Sequence, residues 1–253
     1  VSSDGFNWTP STTTISGIIN QVEYLNGEFI AVGDNALVMA SSDGNTWTSL
    51  SVPTGENLQD IFWHDSLSLY VIVGENGLLM TSNDGISWVV ETLTDATVPA
   101  EHLYAVGHDG SAFIAVGQNG KILHRDDTAT PGGTTWSDSY SNTGFGQLND
   151  LDSDGSKAII VGDNGVIVSG SVAGNSFSQL STGFTDNLNT IAHQNGNYLA
   201  LGDLGATYTS KDGVTWLSAF AGTGENLNDV IIQNHEVFAV GEKGTFIRGH
   251  DHF

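Results

Sequence analysis

Apolar runs ending in glycine recur six times along the chain: Ala31-Val32-Gly33, Ile72-Val73-Gly74, Ala115-Val116-Gly117, Ile160-Val161-Gly162, Ala200-Leu201-Gly202 and Ala239-Val240-Gly241. These glycines stand 41, 43, 45, 40 and 39 positions apart. Within each run the apolar positions are continuous rather than alternating, the pattern of a strand covered on both faces. A segment such as Leu58–Trp63, Leu188–His193 or Leu227–Ile232 precedes it. The two are joined by Asn26-Gly27, Asp109-Gly110, Asp154-Gly155 or Asn195-Gly196, dipeptides that favour positive-φ hairpin turns. A second polar turn follows the glycine, as in Gly74-Glu75-Asn76-Gly77. A third strand comes next (Leu78–Thr81, Val166–Val168), and a fourth begins at an aromatic: Trp47, Trp88, Trp136, Phe177 or Trp216. Four short strands per period of about 40 residues make one blade of a β-propeller.

The pattern predicts an all-β, six-bladed propeller over a single domain, 1–253. Its blades are expected at 15–50, 57–92, 102–140, 147–181, 187–220, and 226–253 plus 1–12. The sixth repeat reaches Phe253 soon after its third strand. Ser2-Ser3-Asp4-Gly5-Phe6-Asn7-Trp8 has the missing fourth-strand pattern, and Trp8 lies 39 positions before Trp47. The N-terminal strand is therefore expected to complete the last blade and remove an exposed edge.

Between third and fourth strands the chain repeats Ser-x-Asp-Gly-x-x-Trp. Complete copies carry Asp4 and Trp8, Asp43 and Trp47, Asp84 and Trp88, and Asp212 and Trp216. The carboxylate is expected to accept backbone N–H groups of its own turn, with glycine at the positive-φ position. The tryptophan then closes over neighbouring strands. Blade 3 carries an insertion, Asp126 to Thr135, and blade 4 keeps only Gly174 and Phe177.

This motif resembles the Asp box, or BNR repeat, of sialidase-like propellers, in which it is structural and lies away from the ligand face. The blades are also similar to those of photosystem II assembly factors, which are non-enzymatic binding propellers. Sialidase activity, which the first resemblance would suggest, needs three arginines, and the chain has only Arg125 and Arg248. The basic patch implied by the second is absent.

Charge narrows the ligand. With 29 acidic and 6 basic residues the formal net charge is −23, which repels nucleic acid and anionic lipid surfaces. No apolar run approaches the roughly 18 residues of a membrane span. Cysteine is absent, so there are no disulfides or thiolate metal sites. Richness in Asn, Ser, Thr and Gly fits an extracellular, cell-surface or periplasmic location. The start at Val1 suggests a processed chain or part of a longer polypeptide or surface assembly.

An acidic ring is expected where each repeated glycine turns: Asp34, Glu75, Gln118, Asp163, Asp203 and Glu242. The loops entering the first strands add Glu56, Asp186 and Glu225 around the same channel mouth. This face is the expected binding surface for a protein or carbohydrate, although Asp and Asn are also simply good turn formers. Asp150 to Gly155 matches the first half of a calcium loop, but the twelfth position, Val161, is not a ligand. Asp150 is repeat-equivalent to Asp60 and Asp229, which explains it without an ion. No catalytic residue, resident metal or cofactor is expected, and no carboxylate stands out as a glycosidase acid. His102 and His108 are placed to approach one another. Tyr24 and Trp63 share a repeat position and are expected between blades. The function expected is non-catalytic binding or scaffolding. A polysaccharide hydrolase or lyase is the alternative, and a structural part of a surface assembly a third.

Overall fold

The computed structural model describes residues 17–93, 100–126, 135–138 and 140–250, together with Ser2, Asn7 and Thr9. Six antiparallel sheets follow one another around a central axis, each built outward from the axis in chain order. Blade 1 is β1 (Ile19–Leu25), β2 (Glu28–Gly33), β3 (Leu37–Ser41) and β4 (Thr48–Leu50). Blade 2 is β5 (Leu58–His64), β6 (Leu69–Gly74), β7 (Leu79–Ser82) and β8 (Val89–Val90). Blade 3 has β9 (Leu103–His108), β10 (Ala112–Gly117) and β11 (Ile122–Asp126). Blade 4 comprises β12 (Leu148–Ser153), β13 (Ala158–Gly162), β14 (Ile167–Ser171) and β15 (Ser176–Gln179). Blade 5 comprises β16 (Leu188–Gln194), β17 (Asn197–Gly202), β18 (Thr207–Ser210) and β19 (Trp216–Ser218). Blade 6 has β20 (Leu227–Gln233), β21 (Glu236–Gly241) and β22 (Phe246–His250).

The fold is thus the six-bladed, all-β propeller expected from the repeat. One outer strand differs from expectation. In blade 3 the described part of the fourth strand forms only isolated bridges, Ser137 to His124 and Trp136 to Leu93 of blade 2. Most of the closing strand expected at Ser2–Trp8, Asp4 and Trp8 included, lies outside the described residues.

Continuous apolar runs in the second strands produce cores between blades. Ile30, Val32 and Val38 of blade 1 meet Leu58, Ile61, Tyr70, Ile72 and Met80 of blade 2, and the same layering recurs at the next junctions. Each repeated glycine is extended, at φ −178° for Gly117. Its requirement is for space rather than conformational freedom. A Cβ there would lie 2.0 Å from the His102 carbonyl oxygen, which accepts the Gln118 N–H at 2.9 Å.

The Ser-x-Asp-Gly-x-x-Trp turns close as the residue types require. Asp84 Oδ1 accepts the N–H groups of Ile86 and Ser87 at 2.8 and 2.7 Å. Ser82 Oγ accepts from Gly85 N–H at 2.9 Å, and the Trp88 indole donates to the Gly85 carbonyl at 3.1 Å. Asp43 and Asp212 bond identically. Because these bonds favour the charged form, Asp84 and Asp212 are held down at about 2. Ser82 is buried, so Ser82→Ala leaves the Gly85 N–H without its acceptor and is expected to cost about 1–2 kcal/mol. A loss below a few tenths of a kcal/mol in urea unfolding would show that water replaces the hydroxyl.

Candidate functional site

The inner strands β1, β5, β9, β12, β16 and β20 surround the propeller axis, and each turns one unpaired edge toward it. Two cavities occupy this channel. The larger, about 700 Å³, is walled by Glu23, His64, His108, Asp152, His193 and Ile231 among others. The smaller, about 310 Å³, opens toward the other face among Asn20, Gln59, Tyr104, Asn149 and Asp163. Gln21, Asp60, Asp150, Thr190 and Asp229 border both cavities and so form the waist between the two mouths.

Those five residues and Ala105 occupy one position of the repeat. Each lies opposite the residue just before the repeated glycine, as Asp60 opposite Val73 and Asp150 opposite Val161. Aspartate therefore stands on blades 2, 4 and 6, with neutral residues between. The free edge of each inner strand explains the choice, since its N–H groups need acceptors. Asp60 accepts from Ile61 N–H in its own strand at 2.7 Å and from Val106 N–H in the next blade at 2.8 Å. Asp150 does the same with Leu151 and Ile191, at 2.7 and 2.8 Å. Asp152 repeats the bracket one step along, with Ser153 and His193.

Two channel carboxylates are less committed. Asp229 accepts from Val230 N–H at 2.8 Å, and Glu23 from the Gln21 amide at 3.3 Å. Each keeps an oxygen with no partner among the described residues. Burial, reinforced by the charges of Asp229, Asp150 and Asp152, pushes Glu23 up to about 7. Burial also raises Asp60 to about 7, outweighing its backbone donors. Asp150, Asp152 and Asp229 are raised for the same leading reason. None of the six Lys and Arg residues borders either cavity. Arg125 is buried beside Phe113 of blade 3, and Arg248 pairs with Glu236 of blade 6 at 2.5 Å. The two arginines thus belong to different blades and converge on no common site.

Most of the acidic ring expected from the turns is engaged in hydrogen bonds or ion pairs, and three of its members join one blade to the next. Asn20 donates to Asp34 at 2.9 Å and to the Leu58 carbonyl of the next blade at 2.8 Å. Asn149 links Asp163 to Leu188, and Asn189 links Asp203 to Leu227, in the same way. Glu242 accepts from Asn226 at 3.2 Å and Glu56 from Asn76 at 2.7 Å. Glu225 pairs with Lys243 at 2.7 Å, while Asp186 accepts from the Tyr208 hydroxyl. Glu75 lies in the Glu75–Gly77 turn. Of the named ring, only Asp163 borders a channel cavity.

Three side-chain expectations are corrected. His108 packs against His64 in a tilted pair, with ring centroids 4.2 Å apart, and His102 instead lies beside Tyr104. Register in the sheets decides this, since Phe113 holds both His64 and His108. Tyr24 shares its repeat position with Trp63 but is exposed, whereas half-buried Trp63 packs against the core between blades 1 and 2 as expected and donates to Asp65 at 2.6 Å. Carboxylates with raised pKa do occur, in the channel. At the calcium-like loop, Asp154 serves its own hairpin, accepting from Ser156 and Lys157 N–H. No group of three or more His, Asp or Glu arranged to hold a metal occurs among the described residues, and no helix there is long and apolar enough to cross a membrane.

Glu23 and Asp152 carried no signal in the repeat, because two residues after the waist position the other blades have Phe62, Gly107, Ala192 and Ile231. The equivalence of Asp60, Asp150 and Asp229 was the available clue to an acid-lined axis.

Solved propellers share this architecture. YCF48 from Cyanidioschyzon merolae matches at 16% identity and TM-score 0.66, over 88% of this chain and 80% of that one. YCF48 bound to D1 peptide matches at 17% and 0.71, over 95% and 80%. Virginiamycin B lyase from Staphylococcus aureus matches at 8% and 0.71, over 94% and 85%. No curated protein sequence matches the chain. The blade repeat does match a family model over residues 2–150, more than half of the sequence, and by that match the chain belongs to the DUF6242 beta propeller domain family.

Proposed function

We propose that this chain is a non-catalytic binding propeller that takes a cationic segment of a partner polypeptide into its acid-lined channel. The observation that carries this reading is an axis bordered by Glu23, Asp60, Asp150, Asp152 and Asp229, with neither lysine nor arginine among its described walls. Carboxylates gathered in a concave, partly desolvated site focus the field on an entering cation. Among the described residues, Glu23 and Asp229 each keep an oxygen without a partner to receive it. The similarity in fold to a propeller described as bound to a peptide supports the reading. The Ser-x-Asp-Gly-x-x-Trp turns are read as Asp boxes of purely structural role, and composition favours an exported protein.

A fluorescent Lys decapeptide, with a Glu decapeptide as control, tests it by anisotropy. Binding of the Lys peptide is expected to weaken at least tenfold between roughly 50 and 500 mM salt. The Glu23→Gln/Asp229→Asn pair should weaken it similarly at low salt, and the surface pair Glu28→Gln/Glu236→Gln should not. Equal effects of both pairs would mean diffuse attraction to the net charge and defeat the proposal.

One observation favours a second reading, an enzyme acting on a polysaccharide. Glu23 faces the larger cavity with its carboxyl raised to about 7, the state of a general acid at neutral pH. Turnover of any glycan in a panel, abolished by Glu23→Gln, would establish it in place of the first.

A further inference from the structure

Five junctions between neighbouring blades are sealed by the same apolar contact, and the sixth, from blade 6 to blade 1, is not. At the start of the inner strand Leu58, Leu103, Leu148, Leu188 and Leu227 are fully buried, whereas Ile19 is 46% exposed. Two positions later in the blade register, Ile61, Val106, Leu151, Ile191 and Val230 are buried, and Val22 is 43% exposed. On the opposing flank Val32, Val73, Val116, Val161 and Leu201 are buried, yet Val240 is 44% exposed. Ile231 on β20 is exposed as well. The brackets that tie one inner strand to the next, such as Asp60 to Val106 and Asn189 to Leu227, have no counterpart between the described residues of β20 and β1.

These two flanks are matching halves of one repeated interface. Blade 6 offers the flank that elsewhere meets a following blade, and blade 1 the flank that elsewhere meets a preceding one. A single sheet satisfies both only if it presents the complementary flanks, and another copy of the repeat does so. We propose that the seam between blades 6 and 1 receives one further blade of this repeat, supplied by polypeptide outside residues 1–253. A propeller of similar fold has room for such a blade: the peptide-bound YCF48 structure, matched over 95% of this chain, leaves a fifth of its own length unmatched. The matched part, about 240 residues, is 80% of that chain, so about 60 remain, more than the repeat of about 40.

Charged substitutions separate an open seam from a closed one. In the 253-residue chain, Ile61→Asp and Val73→Asp are expected to lower Tm by more than about 10 °C. Val22→Asp and Val240→Asp should change it by less than about 2 °C. An equal loss at all four positions would show that blade 6 closes directly on blade 1 and would overturn the proposal. Amide hydrogen exchange then identifies the occupant. In the complete natural polypeptide, residues 19–25 and 227–233 should become as protected as 58–64, without dependence on protein concentration. Protection that depends on concentration would assign the seam to a second copy. Protection gained only with another chain would assign it to a partner. Either result, or a natural polypeptide with no further repeat, overturns the proposal.

Discussion

Gly117→Ala is expected to destabilise the propeller by about 3 kcal/mol or more, the upper range for forcing volume into a close-packed site. The added methyl would stand 2.0 Å from the His102 oxygen and 2.8 Å from Leu103 Cα. Both are backbone atoms, so no rotamer change relieves the contact. Separating the strands instead breaks the bonds from Gln118 N–H to His102 and from Gly117 N–H to Lys121, at 2.9 and 3.1 Å. It also disturbs the register slip at the start of β9. The midpoint of urea unfolding should fall accordingly, and Tm by roughly 10 °C. Gly55→Ala provides the comparison: nothing lies within 4 Å of its added methyl, and its effect should stay within about 0.5 kcal/mol. If the two substitutions proved equal, the six repeated glycines would owe nothing to the close approach of the inner strand.

That close approach explains why the architecture was legible in the sequence. Gly33, Gly74, Gly117, Gly162, Gly202 and Gly241 mark the same contact once per blade, and a requirement repeated six times gives a period that needs no alignment. The turn chemistry of Ser82, Asp84, Gly85 and Trp88 was legible for a related reason: each bond lies within four residues. The channel was not, because its chemistry is made between residues about 40 positions apart. Asp60 is marked in the sequence only by its equivalence to Asp150 and Asp229, whereas its second oxygen accepts the Val106 N–H of the next blade. Asp34 and Asp203 looked available to a ligand, yet Asn20 and Asn189 bind them from within. The pairing of His64 with His108 depends on which residues of adjacent inner strands stand level, and a one-residue slip at each strand start decides that. Local geometry wrote itself into the repeat; the contacts around the axis arise only when blades assemble.

Stability is expected to be greatest near pH 4–5 and to decline as the pH rises to 8. Two sets of carboxylates set the limits. Asp84 and Asp212 are held at about 2 by their turns, so their contribution is present above about pH 4 and is lost as the pH falls toward 2. The channel acids act oppositely. Glu23 and Asp60 titrate near 7 in the folded chain, so their contribution is complete below their unfolded values near 4 and disappears as the pH rises through 7. For Glu23 the displacement from 4.5 to about 7 corresponds to ~3 kcal/mol at most. Glu23→Gln keeps an acceptor for Gln21 and removes the ionisation. The variant should therefore match the parent in Tm at pH 4 and exceed it by several degrees at pH 8. Parallel curves for the two proteins would mean that water reaches Glu23 freely and that its channel position carries no penalty. A cationic segment entering the channel should relieve the same penalty, so the Lys decapeptide is expected to raise Tm at pH 8 and leave it unchanged at pH 4. On that basis the axis is held in an electrostatically unfavourable state at neutral pH, and complementary charge from a partner resolves it.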